Sequence, residues 1–274
     1  MSSGDRIQST FSRLKKERRA GLVTFITAGD PDPKTSQQLM AQLPDAGSDI
    51  IELGMPFSDP MADGPAIQAA NLRALASGAS LMGTLDMVRR FRENNSTTPV
   101  ILMGYFNPIY QYGPSRFVTD AVAAGVDGLI MVDLPPEEDE ELCDPARTAG
   151  LHWVRLVTPT SNEGRLKQVL QNTSGFIYYV SIAGITGTRS AAASAIGEAL
   201  ATVRKHTQLP IAVGFGINTA EQVRETGEVA DGAVVGSAII REIENNLDAS
   251  GCAKPELLDR VTGLVSDLAG GLRS

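Results

Sequence analysis

The amino-acid sequence predicts an α/β protein with the fold of a (β/α)8 TIM barrel. Eight short apolar runs recur along the chain, and helical stretches separate them. Most of these runs are apolar throughout, as expected of parallel strands that are buried on both faces. Glycines at 125, 150 and 175 each precede a strand, where a glycine commonly caps the preceding helix. The 274 residues therefore predict a single barrel domain over 1–274.

The predicted elements follow one another in a regular order. A charged segment with apolar residues at helical spacing predicts a helix over 6–19, before the barrel. The predicted strands are 22–27, 49–54, 100–104, 128–132, 153–157, 176–181, 211–215 and 233–236. The predicted helices that follow include 35–46, 66–77, 81–93, 115–124, 137–149, 162–172, 191–206, 238–245 and 255–268. The alternative is an open doubly wound sheet, but no GxGxxG follows the first strand.

Composition excludes several classes of function. The net charge of −8 argues against nucleic acid or an anionic membrane as the main partner. No apolar run approaches the length of about 20 residues that a membrane span needs, and the N-terminus has no signal-peptide core. The two cysteines have no metal-ligand spacing, which suggests a reducing compartment, so we expect a cytoplasmic protein. His152 and His206 are expected to be structural or surface residues, and no metal site is predicted.

The segment 52–65 carries three carboxylates directly after the second predicted strand. Two prolines exclude a helix in its middle, and a third indicates that a new helix begins at its end. Glu52 should therefore lie at a strand end, with a rigid turn carrying Asp59 and Asp63 back toward it. Two carboxyl groups near a strand end suit general acid–base chemistry. From the residues alone, Asp63 is as well explained by helix capping, and Asp59 by a turn.

Glycines follow the last three predicted strands, at positions 187, 214, 216 and 236. Ser237 then begins a short helix whose N-terminus favours an anion. Taken singly, each glycine reads as an ordinary turn residue. Because barrels often bind phosphate at the loops after strands seven and eight, the set predicts a phosphate site.

Several motifs resemble those of the tryptophan synthase α subunit family. They are ELGMPFSDPMADGPAIQ at 52–68, FITAGDP at 25–31, NPI at 107–109, YYVSIAGITG at 178–187, GFGI at 214–217 and GSAI at 236–239. The resemblance covers nearly the whole chain and implies a (β/α)8 barrel. It also implies a lyase that cleaves indole-3-glycerol phosphate to indole and glyceraldehyde 3-phosphate by a retro-aldol reaction. Indole would pass to a β subunit that carries pyridoxal phosphate, in an αββα heterotetramer, and this chain would need no cofactor.

The resemblance also implies a role for each matching residue. Glu52 matches the catalytic acid–base, and Asp63 matches the carboxylate that accepts the indole N–H. The substrate pocket matches Phe25, Met103, Tyr105, Ile130, Tyr178 and Thr186. The phosphate site matches Gly187, Gly216, Gly236 and Ser237. The face toward the β subunit matches Pro56, Asp59, Pro60, Asn107 and Pro108.

Two other functions compete with this interpretation. A sugar-phosphate isomerase or epimerase would share the phosphate site, but it gives no reason for the motif from Glu52 to Asp63. A barrel that only activates a partner enzyme would not need both acids intact. The segment 182–193, rich in small residues, is further expected to be a mobile lid.

Overall fold

The computed structural model describes residues 5–180, 189–214 and 216–273, with only the backbone described over 189–195. Nine parallel strands form one sheet in these residues. They are β1 (Gly21–Thr27), β2 (Ile50–Gly54), β3 (Val100–Gly104), β4 (Gly128–Met131), β5 (His152–Trp153), β6 (Arg155–Val157), β7 (Ile177–Val180), β8 (Ile211–Gly214) and β9 (Gly232–Val235).

The sheet closes on itself. Its strand order is β5-β4-β3-β2-β1-β9-β8-β7-β6, and every neighbouring pair is parallel. The two edge strands, β5 and β6, come from one segment on either side of Val154, so both ends of the sheet meet at a single strand position. The predicted (β/α)8 barrel is confirmed, and the predicted fifth strand is divided into two short ladders.

Helices surround the barrel, and a 3₁₀ helix covers Pro136–Glu141. The α-helices are α1 (Arg6–Glu17), α2 (Pro33–Ala46), α3 (Pro65–Ala76), α4 (Leu81–Arg92), α5 (Phe106–Tyr112), α6 (Pro114–Ala124), α7 (Cys143–Thr148), α8 (Glu163–Gln171), α9 (Arg189–Arg204), α10 (Ala220–Gly227), α11 (Ser237–Asn245) and α12 (Leu257–Gly270).

Three helices differ from the sequence predictions. The single helix predicted over 137–149 is wrong, because Pro145 cannot continue an existing helix and sits instead in the first turn of α7. Helix α5 was not predicted, because it contains Asn107-Pro108. Pro108 is the third residue of that helix, where the amide needs no intrahelical acceptor. Helix α10 was not predicted either; it begins at a capping box between Thr219 and Gln222.

The interior of the barrel is a packed layer that α1 closes from below. Along the strands, alternate side chains point inward. Ile7, Phe11 and Leu14 of α1 pack against this layer, and the rings of Phe11 and Phe176 lie 5.8 Å apart. The strands contribute Val23, Ile50, Ile101, Ile130, Ala212 and Val234 to it, and Val154 and Phe176 join it from positions directly beside strands. Because the N-terminal end is plugged, a substrate must enter at the C-terminal end of the strands.

Aspartates at the starts of three strands hold the lower rim together. Asp49, Asp127 and Asp231 each accept a hydrogen bond from the first amides of the preceding strand, at 2.8–3.0 Å, and each also pairs with arginine. The amide donors are those of Leu22, Val100 and Ile211. This shared bond gives a physical reason for the repeated Gly-x-Asp pattern before β2 and β4.

Replacing Asp127 by alanine is expected to destabilise the protein by about 3 kcal/mol. The carboxylate is buried against Arg6 at 2.8 Å and Arg92 at 2.6 Å, and removing it leaves two largely buried guanidinium groups without their counter-ion. The matched control is Asp231→Ala, which removes the same strand-end bond from a pair with Arg204 that is about 40% exposed. That control should lose only about 1 kcal/mol. Urea unfolding measures both free energies, and equal losses would contradict the proposed burial effect.

Candidate active site

Glu52 projects into the barrel from β2 with no hydrogen-bond partner. It lies two residues after the inward-facing Ile50, and its strand neighbours in register are Phe25 and Ile101. The side chain is 1% exposed, and within the described residues neither carboxyl oxygen has a partner. Burial raises the pKa of Glu52 to about 8. The group is therefore a neutral acid at pH 7, held in an apolar setting.

Asp63 lies on the loop between β2 and α3. Its amide donates to the Pro60 carbonyl at 3.0 Å, and its own carbonyl accepts from the side chain of Gln68 at 2.8 Å. The helix-capping role is not observed, because Gly64 is the N-cap of α3 and no side chain caps that helix end. Partial burial raises the pKa of Asp63 to about 6, against the opposing effect of a hydrogen bond from Tyr105. Asp63 is therefore mostly ionised at pH 7, whereas Glu52 is not.

Tyr105 and Asn71 hold the loop that carries Asp63. The Tyr105 hydroxyl accepts from the amide of Ala62 at 2.9 Å, and its ring lies 5.4 Å from the ring of Phe57. Burial, and then the charges of Asp63 and Asp133, raise the pKa of Tyr105 to about 12, so it stays a hydrogen-bond donor. The Asn71 side-chain oxygen accepts from the amide of Phe57 at 3.0 Å.

Asn71 is not among the site residues predicted from the sequence. Its side-chain nitrogen donates to the Ile67 carbonyl at 3.0 Å, so the orientation of the amide group is set at both ends. A signal was present, because Asn71 is a polar residue in the otherwise apolar buried face of α3, beside Ala70 and Ala74. It is 5% exposed.

Tyr178 lies on β7 and packs against the barrel interior beside the neighbouring strand β8. Its hydroxyl occupies the space beside Gly214 on β8, where an added Cβ would lie only 2.3 Å from that oxygen. Burial raises the pKa of Tyr178 well above its ordinary value, and the charges of Glu52 and Asp63 raise it further. The three groups therefore share one electrostatic environment.

A small cavity opens beside Asp63 and Tyr105. Four residues predicted for the site line it together, namely Phe25, Asp63, Met103 and Tyr105. Glu52 and Tyr178 do not line this cavity, and Ile130, which does not line it either, is fully buried in the packed layer below. The remaining lining residues are Gly54, Met55, Asn71, Gly104 and Val132.

Gly216 after β8 and the start of α11 after β9 are the described parts of the predicted phosphate site. Gly216 has a φ of +75°, a conformation that favours glycine. Gly236 is the N-cap of α11, Ser237 is its first residue, and no side chain caps this helix end. The first intrahelical bond runs from the Ile240 amide to the Gly236 carbonyl at 3.0 Å, so the amides before it have no acceptor within the helix. Thr186 and Gly187 lie outside the described residues.

The residues predicted to face a partner differ in exposure. Asp59 and Asn107 are exposed, Pro60 and Pro108 are half-buried, and Pro56 is buried. Two apolar side chains that the sequence analysis did not single out lie next to them and are strongly exposed, Met61 at 86% and Tyr110 at 59%. Methionine in the middle of a polar loop was the available signal for the first of these.

Other ionisable groups near the strand ends make structural contacts. Asp30 is buried and accepts two hydrogen bonds from Arg73, at 2.7 and 2.9 Å. Asp133 accepts from the amide of Phe106, and His152 lies 2.9 Å from Asp5 at the opposite end of the barrel. No cluster of metal-ligating side chains occurs within the described ranges, and no helix in them has the length and apolarity to cross a bilayer.

Comparison with known proteins decides the family. A family model described as "Tryptophan synthase alpha chain" matches residues 11–264. The chain belongs to the tryptophan synthase alpha chain family. It therefore has the alpha-subunit role in an enzyme of tryptophan synthesis.

Solved tryptophan synthase structures share the fold over almost the whole chain. The tryptophan synthase subunit alpha of Legionella pneumophila is 41% identical to this chain. The match covers 98% of each of the two chains, with a TM-score of 0.89. The tryptophan synthase of M. tuberculosis, in an open form with BRD0059 bound, is 31% identical, covers 98% of this chain and 99% of that one, and has a TM-score of 0.86. A protein of Aquifex aeolicus is 34% identical, with the same coverage and a TM-score of 0.87.

Proposed function

We propose that this chain performs the carbon–carbon bond cleavage of a tryptophan synthase (EC 4.2.1.20), a lyase, and converts indole-3-glycerol phosphate to indole and glyceraldehyde 3-phosphate. The observation that carries the proposal is the buried, unpartnered carboxyl group of Glu52, with a second carboxyl group, Asp63, whose charge acts on the same Tyr178. Two carboxyl groups whose environments give them different protonation states at pH 7 suit an acid and a base with separate roles.

Glu52 supplies and recovers one proton in the proposed cycle. The protonated carboxyl donates to C3 of the indole ring, because an unprotonated indolyl carbanion is a poor leaving group. The resulting carboxylate takes the proton from the hydroxyl on the adjacent carbon, which becomes the aldehyde as the carbon–carbon bond breaks. The carboxyl ends protonated, as it began, and a pKa near the working pH favours transfer in both directions.

Asp63 stabilises the charge that this proton transfer creates. Protonation at C3 gives an indolenine cation whose N–H becomes more acidic, and an ionised carboxylate accepts that N–H and offsets the charge. Tyr105 and the amide contacts of the loop orient Asp63 for this role. Phe25 and Met103 supply apolar surface for the indole ring.

The phosphate of the substrate binds to backbone amides of the loops after β8 and β9. Gly216, Gly236 and Ser237 contribute from the two described loops, and Gly187 is proposed from the sequence. The uncapped N-terminus of α11 offers both hydrogen-bond donors and the positive end of a helix dipole. This arrangement explains how a chain of net charge −8 holds an anionic substrate.

The pH dependence of kcat/KM is expected to be bell-shaped. Activity should rise as Asp63 loses its proton at about pH 6, because the ionised form accepts the indole N–H. It should fall as Glu52 loses its proton at about pH 8, because only the protonated form donates to C3. Initial rates of indole release between pH 5 and 9 measure both limbs. The apparent pKa values of the two limbs belong to the coupled pair of carboxyl groups.

The phosphate of the substrate also titrates near pH 6. A variant at position 63 distinguishes its titration from that of Asp63. In Asp63→Asn, the acidic limb should disappear if Asp63 causes it. An acidic limb that is unchanged in this variant would assign it to the substrate and contradict the role given to Asp63.

We further propose a β subunit that carries pyridoxal phosphate as the partner, in an αββα heterotetramer in the cytoplasm, with no cofactor in this chain. The exposed Asp59 and Asn107, with the apolar side chains of Met61 and Tyr110 beside them, support a docking face on these loops. Aromatic and methionine side chains are enriched in protein interfaces.

Indole release tests the proposed function. The purified chain, with and without a tryptophan synthase β subunit, is given indole-3-glycerol phosphate, and indole is quantified by chromatography. The proposal expects indole and glyceraldehyde 3-phosphate in equal amounts. Binding of the substrate without any indole, even with the β subunit present, would show that the proposal is wrong.

A further inference from the structure

A side-chain link joins the two described parts of the proposed phosphate site. Arg241 lies on α11 one helical turn after Ser237, about 6 Å further along the helix axis. Its guanidinium group donates a hydrogen bond to the side-chain oxygen of Asn218. The side-chain nitrogen of Asn218 in turn donates to the carbonyl of Gly216 at 2.5 Å. The loop after β8 is thereby tied to the helix that follows β9.

The orientation of Asn218 is set from several directions. Its own amide donates to the side-chain oxygen of Gln222 at 2.7 Å, and the amide of Thr219 donates to the same oxygen at 3.2 Å. Since Gly216 accepts from the Asn218 nitrogen, the Asn218 oxygen is left for Arg241. This network therefore holds Gly216 in its positive-φ conformation relative to the start of α11.

Arg241 also keeps its charge available. It is exposed, and within the described part of the chain its guanidinium group forms no ion pair, because its partner is a neutral amide. By contrast, Arg224 on the neighbouring α10 is paired with Glu228. An unneutralised cation one turn from an anion-binding helix end adds attraction that an uncapped helix alone lacks.

We propose that Arg241 and Asn218 determine the affinity of this site for a phosphorylated substrate. Asn218 is a positioning residue that sets the distance between the Gly216 loop and α11, and Arg241 both anchors Asn218 and attracts the phosphate dianion. The inference rests on the proposed function, because it assigns residues to the same phosphate site. Since the phosphate lies away from the bond that breaks, its interactions should be equal in the ground and transition states, and their loss should raise KM without lowering kcat.

The test uses five variants of the full chain: Arg241→Gln, Arg241→Lys, Asn218→Ala, the double variant Asn218→Ala/Arg241→Gln and the control Arg224→Gln. Calorimetry measures the Kd of glycerol 3-phosphate, an unreactive phosphate ester, and of indole, which has no phosphate. Arg241→Gln is expected to weaken glycerol 3-phosphate binding by about tenfold, as for loss of one charge-assisted contact, with indole binding and kcat unchanged. Arg241→Lys should retain a larger fraction of the wild-type affinity at low salt than at high salt, because lysine keeps the charge but lacks the planar guanidinium group.

Asn218→Ala should raise the Kd of glycerol 3-phosphate severalfold and reduce the difference between arginine and glutamine at 241, because the two residues act through one contact. Arg224→Gln should behave as wild type. Unchanged phosphate affinity in Arg241→Gln and Asn218→Ala, with a wild type that binds the probe, would overturn this inference alone. Equal losses for indole and for glycerol 3-phosphate would also overturn it, since they indicate a general distortion. A wild type that does not bind the probe would overturn the phosphate site of the proposed function as well.

Discussion

Replacing Glu52 by glutamine is expected to lower kcat/KM for indole release by about 10³-fold, within the range that general acid–base groups contribute. Glutamine keeps the shape of the side chain but has no proton of suitable acidity for C3 and cannot accept one from the hydroxyl. The residual rate should lack the alkaline limb near pH 8, because the group that causes this limb is gone. Steady-state and single-turnover assays of the variant and the wild type measure the loss.

The stability of the same variant shows whether its loss of activity has a structural cause. The folded-state pKa of Glu52 is raised from 4.5 to about 8, so the wild type loses stability as the pH rises from the first value to the second. Below about pH 4.5 the carboxyl is neutral in both states and contributes no penalty. Above about pH 8 the penalty is complete, on the order of 5 kcal/mol by the difference between the two values.

Glu52→Gln should therefore be more stable than the wild type at pH 9 and about equally stable at pH 4.5, while binding glycerol 3-phosphate normally. Urea unfolding at the two pH values measures the difference, and comparing the two proteins at each pH cancels the other titrating groups. A variant that is inactive and also less stable at pH 9 would indicate a structural role and contradict the assignment of a strained, functional carboxyl group.

Replacing Asp63 by asparagine is expected to lower kcat by about 10²- to 10³-fold, as for loss of one preorganised group at a developing charge. Asparagine retains a hydrogen-bond acceptor for the indole N–H but not the negative charge that offsets the indolenine cation. The effect should fall mainly on kcat and less on KM, because that charge develops only after proton transfer. Rates at saturating indole-3-glycerol phosphate, at pH 7.5, measure this directly.

Asp59→Asn is the matched control, since it makes the same chemical change in the same loop. Asp59 is exposed, and its carboxylate accepts from the adjacent Ser58 hydroxyl at 2.5 Å, without contact to the cavity. In assays of this chain alone, Asp59→Asn should keep nearly full kcat. Equal losses in the two variants would indicate that loop structure, and not charge at Asp63, causes the effect.

The barrel was predictable from the sequence because each β/α unit has a recognisable local sequence pattern. Apolar β-branched runs such as 22–27 and 211–214 and glycine caps such as Gly125 depend on the immediate chain, so pattern alone indicates them. Helix α5 was not predictable in the same way, because Asn107-Pro108 by itself favours a turn. A proline fits a helix only in its first turn, and where α5 begins is known only from the structure.

The site was predictable only in part, for a physical reason. The order of residues suggested that Glu52 and Asp63 belong together, but the protonation difference between them depends on burial that only the folded barrel creates. The residues alone also left helix capping open for Asp63, and the cap at Gly64 removes that alternative. Contacts over long sequence distances, such as Asn71 with Phe57 and Arg241 with Asn218, have no local signature.

The most direct test of this account is the titration of the Glu52 carboxyl itself. Infrared difference spectra between wild type and Glu52→Gln, recorded from pH 5 to 10, isolate the C=O stretch of that one protonated carboxyl. The account predicts that the band is present at pH 7 and is lost around pH 8, as expected of an acid kept neutral by burial. A carboxylate that is already ionised at pH 7, with a midpoint near 4.5, would contradict it.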